Sequence, residues 1–262
     1  MIVEVIGSSG AGKTTVATML ARRRETLGDV VLASDLIVDR PGRRWVRDPK
    51  AVNLLADVTC LPPFLRERQR YRDLMRFART RLRSAPSRFA RYNYLREIVR
   101  DLGKRELARR VGPGSIVLLD EGPLLTAYHL FVYNDAPFTT ADVERFARLV
   151  PVPDRVVYVT APIEVLVDRA MGRSDRRREL ASASRGEIQR RIARAIEVFD
   201  ALVASPEIRD RTLVVENPDM SGVGLEAAVA QVASLLDRAI ADGPPKEGAV
   251  RHPEQMGRRW GR

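Results

Sequence analysis

The sequence predicts an α/β protein in which a parallel sheet of about five strands is flanked by helices. Short apolar segments of strand length alternate with longer segments in which apolar residues recur at helical spacing. The predicted strands lie near residues 2–6, 30–33, 115–120, 156–159 and 212–215. Strands that alternate with helices form parallel sheets, which bind ligands beyond the carboxyl ends of their strands. The residues that follow each predicted strand are therefore the first candidates for a functional site.

The first predicted strand runs directly into a glycine-rich loop. Residues Gly7-Ser8-Ser9-Gly10-Ala11-Gly12-Lys13-Thr14 match the pattern G-x-x-x-x-G-K-[ST] at every position, and a predicted helix follows. Glycines allow the backbone to wrap a phosphate, and the N–H groups at the start of the helix point into the loop. We expect Lys13 to contact the β- and γ-phosphates of ATP, Thr14 to bind Mg²⁺, and Thr15 to add a nucleotide contact. The motif indicates the P-loop NTPase fold.

Two adjacent carboxylates, Asp120 and Glu121, follow the apolar run of the third predicted strand. P-loop proteins place a carboxylate at the end of a neighbouring strand to hold Mg²⁺, so Asp120 is the predicted metal ligand beside Thr14. A helix N-cap is the alternative reading of the pair. Asp35, after the second strand, is either a further carboxylate on the acceptor side or a turn residue. One of Asp35, Asp120 and Glu121 is the expected base.

An arginine-rich segment follows the fourth strand and its helix. Residues 169–186 are polar and include Arg169, Arg173 and Arg176, with glycines near both ends. Arginines that fold over a γ-phosphoryl group stabilise its developing charge and exclude water. We therefore predict a lid over residues 169–186, in which Arg169 and Arg176 bind the nucleotide and Arg173 assists catalysis. A solvated surface loop is the alternative.

Three of these pieces resemble the thymidylate kinase-like group of P-loop nucleoside and nucleotide kinases. They are the loop Gly7–Thr14, the strand that ends at Leu119-Asp120 before Gly122-Pro123, and residues 157–165 with the arginines that follow. The resemblance covers residues 1–35 and about 115–240. It implies a kinase that uses ATP and Mg²⁺, and such kinases are often homodimers. Thymidylate kinases typically carry Asp-Arg-Tyr after the third strand, whereas this chain has Asp120-Glu121-Gly122. The carboxylate of Glu121 would repel an acceptor phosphate and would suit an acceptor hydroxyl.

The charge of the chain is concentrated in one segment. The net charge is +11, and residues 66–110 contain sixteen basic and five acidic residues, so the remainder sums to zero. Aromatic residues are interleaved with these arginines. This pattern is typical of nucleic-acid binding, and it equally fits two amphipathic helices that bury their aromatic residues. The two basic helices are predicted over about 64–83 and 91–111, and residues 36–63, with several prolines, are predicted to be irregular.

The sequence as a whole predicts one P-loop kinase domain over residues 1–242, with a helical acceptor-side insertion at 36–114 and a disordered tail at 243–262. The single cysteine, Cys60, excludes an internal disulfide, and the N-terminal apolar run is too short for a membrane span or signal peptide. We expect a cytoplasmic protein with no membrane partner. The function predicted first is transfer of the γ-phosphate of ATP to a small-molecule or nucleotide acceptor. The alternative is a nucleic-acid-directed P-loop kinase or ATPase that docks through residues 66–110.

Overall fold

A five-stranded parallel sheet forms the centre of the structure, a computed structural model that describes residues 1–23, 27–38, 49–112, 114–172, 183–218 and 223–241. The strands are β1 (Ile2–Ile6), β2 (Val30–Leu32), β3 (Ile116–Leu119), β4 (Arg155–Thr160) and β5 (Thr212–Glu216). Their order is β2-β3-β1-β4-β5, and every neighbouring pair is parallel. The predicted fold class, a P-loop NTPase fold with a parallel sheet of five strands, is confirmed.

Helices cover both faces of this sheet. They are α1 (Lys13–Arg22), α2 (Asp35–Val38), α3 (Pro49–Arg66), α4 (Arg72–Arg81), α5 (Arg88–Ala108), α6 (Thr140–Leu149), α7 (Ile163–Gly172), α8 (Arg185–Ala204) and α9 (Val223–Ala241). Short 3₁₀-helices span Leu82–Ser84, Pro123–Thr126 and Arg209–Arg211, and a π-helix spans Tyr128–Val132. Within the described ranges, no helix is both long enough and apolar enough to cross a membrane.

The alternation of side chains along β1 separates two hydrophobic cores. Val3 and Val5 pack on the face that α1 and α9 cover, whereas Ile6 packs on the face that α4, α5 and α6 cover. Successive side chains of a strand point to opposite faces, so this division follows from the sequence of the strand. Glu4 lies on the second face and is completely buried.

The prediction of irregular backbone over residues 36–63 is wrong where that segment is described. Residues 49–66 form α3, which contains Pro62 and Pro63 in its last turns. Each proline removes one N–H from the helical hydrogen bonds, and burial of one face against α5 offsets this cost. The two helices approach closely, because a Cβ on Gly103 of α5 would lie 2.2 Å from the carbonyl oxygen of Cys60.

The first predicted basic helix, over residues 64–83, is divided in the structure. Helix α3 ends at Arg66, and α4 begins at Arg72 after a turn. The apolar face predicted for this segment is nevertheless buried, with Leu74, Met75 and Leu82 inside. The second predicted basic helix corresponds to α5, whose first turn is capped by the Ser87 hydroxyl.

Candidate active site

The glycine-rich loop joins β1 to α1 at the carboxyl edge of the sheet. A Cβ on Gly7 would lie 2.2 Å from the Val159 carbonyl oxygen of β4, and a Cβ on Gly10 would lie 2.7 Å from the Leu166 carbonyl oxygen of α7. Both glycines adopt positive φ, which L side chains rarely do. The loop therefore requires glycine for its backbone conformation and for its close packing against β4 and α7.

The start of α1 is open toward this loop. Lys13 is the first residue of the helix, and its Nζ donates to the carbonyl oxygens of Gly7 and Ser8, both at 2.9 Å. Thr14 and Thr15 follow in the first turn and are exposed. No acidic residue lies in that turn, so no side chain of the turn offsets the positive end of the helix dipole. The N–H groups, the ammonium and the hydroxyls are suited to bind an anion at this point.

Arg169 and Asn217 hold the outer side of the loop. The Nη1 of Arg169 donates to the Gly10 carbonyl oxygen at 3.4 Å and to the Asn217 carbonyl oxygen at 3.1 Å. The Nδ2 of Asn217 donates to the Ala11 carbonyl oxygen at 2.9 Å. Arg169 thus lies at the predicted loop, where it donates to backbone carbonyls and to the side-chain oxygen of Asn217. The sequence analysis missed Asn217. It directly follows β5, and residues at the carboxyl ends of parallel strands are candidates for a ligand site.

Tyr128 contacts the loop from the opposite side. The Ser9 N–H donates to the Tyr128 hydroxyl at 3.3 Å, and the Tyr128 ring lies 5.9 Å from that of Phe199 in α8. This tyrosine comes from the π-helix after β3, a deviation from α-helical geometry that is frequent at functional sites. Local sequence spacing contains no signal for this contact, because Ser9 and Tyr128 are 119 positions apart.

Asp120 directly follows β3, the strand that pairs with β1. Its Oδ1 accepts a hydrogen bond from the Glu121 N–H at 3.1 Å. Because Glu4 of β1 is in register with Leu119, the carboxylate lies at the same edge of the sheet as the glycine-rich loop. The two residues of the predicted metal site, Thr14 in the first turn of α1 and Asp120 directly after β3, therefore lie at the same edge of the sheet.

Glu121 is paired with a lysine that the sequence analysis missed. Lys104 Nζ of α5 lies 3.3 Å from Glu121 Oε2 and 3.3 Å from Asp101 Oδ1. Burial alone would lower the pKa of Lys104, but the carboxylates of Asp101 and Glu121 outweigh it and raise the pKa above its usual value. Burial also raises the pKa of Asp101, against the opposing effect of Lys104. Glu121 is thus part of an ion-pair cluster.

Glu4 lies beneath the turn that carries these carboxylates. Its Oε1 accepts a hydrogen bond from the Leu125 N–H at 3.0 Å, and a Cβ on Gly122 would lie 2.7 Å from Glu4 Cδ. Gly122 has no side chain to cap the 3₁₀-helix Pro123–Thr126, so Glu4 caps it from β1. Burial raises the pKa of Glu4 from 4.5 to about 8. A charged residue inside an otherwise apolar strand was the sequence signal that could have identified it.

The remaining predicted residues are less closely placed. Asp35 is exposed at the first position of α2, three residues after the end of β2. Because β3 separates β2 from β1, Asp35 lies one strand further from the loop than Asp120 does. Arg173 and Arg176 lie outside the described residues. So do residues 173–182 of the predicted lid and the whole of the predicted tail.

The donor set fits Mg²⁺ better than a metal that needs many protein ligands. In the part of the chain that the structure describes, no group of three or more His, Cys, Asp or Glu residues is arranged to hold a metal ion. Mg²⁺ is typically bound by one or two carboxylates together with water and substrate phosphates. The exposed hydroxyl of Thr14 and the half-exposed carboxylate of Asp120 are consistent with such a site.

Comparisons with known proteins show similar structures and no family. No protein-family model matches the chain, and no curated protein matches its sequence. A shikimate kinase from Bacteroides thetaiotaomicron is 15% identical with a TM-score of 0.46, over 90% of this chain and 98% of that chain. A deoxyadenosine kinase from M. mycoides, with dCMP and a flexible dCDP bound, is 13% identical with a TM-score of 0.48, over 91% of this chain and 100% of that chain. At these values the function must be argued from the chain's own residues.

Proposed function

We propose that the chain is an ATP-dependent phosphotransferase of the P-loop kinase type. The observation that carries the proposal is the glycine-dependent loop Gly7–Thr14 between β1 and α1, with the carboxylate of Asp120 at the end of the adjacent strand. A loop of this conformation at a helix N-terminus binds phosphate, and a carboxylate on the neighbouring strand is where P-loop proteins hold Mg²⁺.

The donor side has a role for each predicted residue. Lys13 and the N–H groups of the first turn of α1 bind the β- and γ-phosphates, and Thr14 and Asp120 hold Mg²⁺. The metal supplies charge neutralisation at the phosphate oxygens. Arg169 supports the loop through Gly10, and Arg173 and Arg176 belong to the lid that covers the transferred group. These donor-side residues account for phosphate transfer from ATP, as in thymidylate kinase-like enzymes. They do not determine which acceptor receives the phosphate.

A hydroxyl is the better-supported acceptor. Two carboxylates, Asp120 and Glu121, directly follow β3, and the Lys104 ammonium beside Glu121 is shared with the buried carboxylate of Asp101. Adjacent carboxylates disfavour an acceptor phosphate and suit a hydroxyl, which needs a base to take its proton. Because Asp120 is assigned to Mg²⁺, Glu121 and Asp35 are the candidates for that base.

The proposal is tested by phosphotransfer from ATP-Mg²⁺ to a panel of nucleosides, nucleotides, sugars and oligonucleotides. Lys13→Ala should abolish ADP formation, because the charge on the transferred group loses its compensating ammonium. Arg22→Ala, at the exposed far end of the same helix, is the matched control and should keep full activity. Transfer retained in Lys13→Ala would refute the site. ADP formation that no acceptor increases would indicate a simple ATPase instead.

A further inference from the structure

Helix α4 presents a regular row of arginines on its outer face. Arg72, Arg76, Arg79 and Arg83 are spaced at i, i+4, i+7 and i+11, where the last belongs to the 3₁₀-helix that continues α4, and all four are exposed. We call these four residues the arginine ridge. Residues at this spacing lie on one helical face, and the row extends over about 16 Å.

The charge of the arginine ridge is largely uncompensated. Arg76 forms an exposed ion pair with Asp73 at 3.4 Å, and such pairs contribute little. The other three arginines of the ridge have no ion pair with any residue in the described ranges. Arg66, Arg68 and Arg70, in and after the last turn of α3, are exposed as well and extend the positive surface toward the start of α4.

Two exposed aromatic rings follow the arginine ridge in the chain. Phe89 is 72% exposed and Tyr92 is 63% exposed, and both lie in the first turns of α5. Their i, i+3 spacing places them on one face of the helix. By contrast, Tyr71, Phe77 and Tyr94, the other aromatic residues of the basic segment, are buried in the core. Of the aromatic residues that are interleaved with arginines in the sequence, three therefore belong to the core and two lie on the surface.

We propose that the arginine ridge, together with Phe89 and Tyr92, binds single-stranded nucleic acid. Arginine guanidinium groups bind phosphodiester oxygens in a bidentate manner, and exposed rings provide stacking surfaces for unpaired bases. An anionic membrane fits the arginine ridge itself less well, because the large apolar side chains of α4 are buried. The exposed rings of Phe89 and Tyr92 would also suit a lipid surface, so the test includes vesicles. The surface contains no element arranged to read base edges, so binding is expected to be tolerant of sequence. The proposal is independent of the phosphotransferase function.

The test is fluorescence anisotropy of the full-length protein with a labelled oligo(dT) of about 20 nucleotides at increasing salt. We expect log affinity to fall linearly with log salt. A variant with Arg→Gln at all four ridge positions should lose about tenfold or more in affinity, and its salt slope should decrease by about 3, the value for four contacts with a single strand. A second variant, Phe89→Ala with Tyr92→Ala, should lose about tenfold in affinity with an unchanged slope.

A matched control removes the same charge elsewhere. Arg22, Arg190, Arg209 and Arg238 are exposed on α1, α8, a 3₁₀-helix and α9, and Arg→Gln at these four positions should leave the affinity within about twofold. Equal losses in the ridge and control variants would overturn the proposal, since net charge alone would explain the binding. No binding, salt-insensitive binding, or ridge-dependent binding to phosphatidylserine vesicles without oligonucleotide binding would overturn it too. Circular dichroism melting of each variant shows that it is folded.

Discussion

The two halves of the basic segment, residues 66–110, differ in the burial of their charged side chains. In α4, Arg72, Arg76 and Arg79 point outward, and the acidic residue Asp73 is exposed beside them. Arg81, at the end of the helix, instead turns inward and donates to the carbonyl oxygens of Leu130, Ala136 and Pro137. In the C-terminal half of α5, five charged residues between positions 100 and 106 are buried. They are Arg100, Asp101, Lys104, Arg105 and Glu106. Both helices are rich in arginine, so composition does not distinguish them.

The availability of acidic partners accounts for the difference. Lys104 is paired with Asp101 and Glu121, and Arg105 lies 3.3 Å from Glu106. A charge can be buried only when an opposite charge and hydrogen bonds compensate for the loss of water. Among the described residues, Arg72 and Arg79 of α4 have no acidic partner and Arg76 has only the exposed Asp73, so these three arginines stay in water, where a polyanion can reach them. The density of charge in a sequence therefore does not by itself indicate a binding surface.

The largest effect is expected from breaking the buried cluster. Lys104→Ala leaves the carboxylate of Asp101 buried without its cation, which should cost about 3–5 kcal/mol in the free energy of unfolding. Urea denaturation of the variant measures this loss. If Lys104→Ala proves as stable as the wild-type protein, the buried cluster is not compensated in the way that we describe.

Glu4 extends the comparison, because it is a buried acid that forms no ion pair with any residue that the structure describes. Its pKa is raised to about 8, so the folded protein holds a proton that the unfolded chain releases near pH 4.5. This contribution to stability is complete below about pH 4.5 and is lost as the pH rises to about 8, by up to about 1.4 kcal/mol per pH unit. Asp101 and Arg105 are the charged neighbours that modify the titration.

Glu4→Gln should remove that loss, because the amide keeps an oxygen for the Leu125 N–H and does not ionise. We expect the variant to gain stability relative to the wild-type protein between pH 5 and pH 8.5, as measured by urea denaturation at both values. A difference that is the same at the two pH values would show that Glu4 does not titrate in this range.

A smaller effect is expected at the far end of the buried cluster. The Tyr71 hydroxyl donates a hydrogen bond to Glu106, and burial raises the pKa of Tyr71 to about 12. Tyr71→Phe should lower the free energy of unfolding by about 1.5–3 kcal/mol, the range for a hydrogen bond to a charged group. Tyr92→Phe, at an exposed position, is the matched control. Equal effects of the two substitutions would contradict the distinction between buried and exposed polar groups.

The smallest effect is expected at the arginine ridge. Arg79→Ala should change the free energy of unfolding by no more than about 0.5 kcal/mol, because the side chain is exposed and has no ion pair with a described residue. Thermal melting at low and high salt measures it. A clear destabilisation would mean that the outer face of α4 supports the fold, and the comparison between the two helices would fail.

The sequence by itself determined the fold class, and it predicted the residues on the donor side of the site. The position of the loop Gly7–Thr14 could be predicted because the motif depends on local spacing along the chain. The position of Asp120 could be predicted because the strand ends of a parallel sheet share one edge. The predicted roles of all the site residues remain predictions that mutagenesis must test, those of Lys13, Thr14 and Asp120 as much as those of Asp35, Glu121 and the lid arginines.

Only the tertiary structure decided which charges are inside and what surrounds the loop. Lys104 meets Glu121 across 17 positions of sequence, Tyr128 reaches Ser9 across 119, and Asn217 reaches Ala11 across 206. Helix α3 likewise forms in spite of Pro62 and Pro63 because α5 packs against it. Burial and pairing depend on contacts between distant segments, and local spacing contains no information about them.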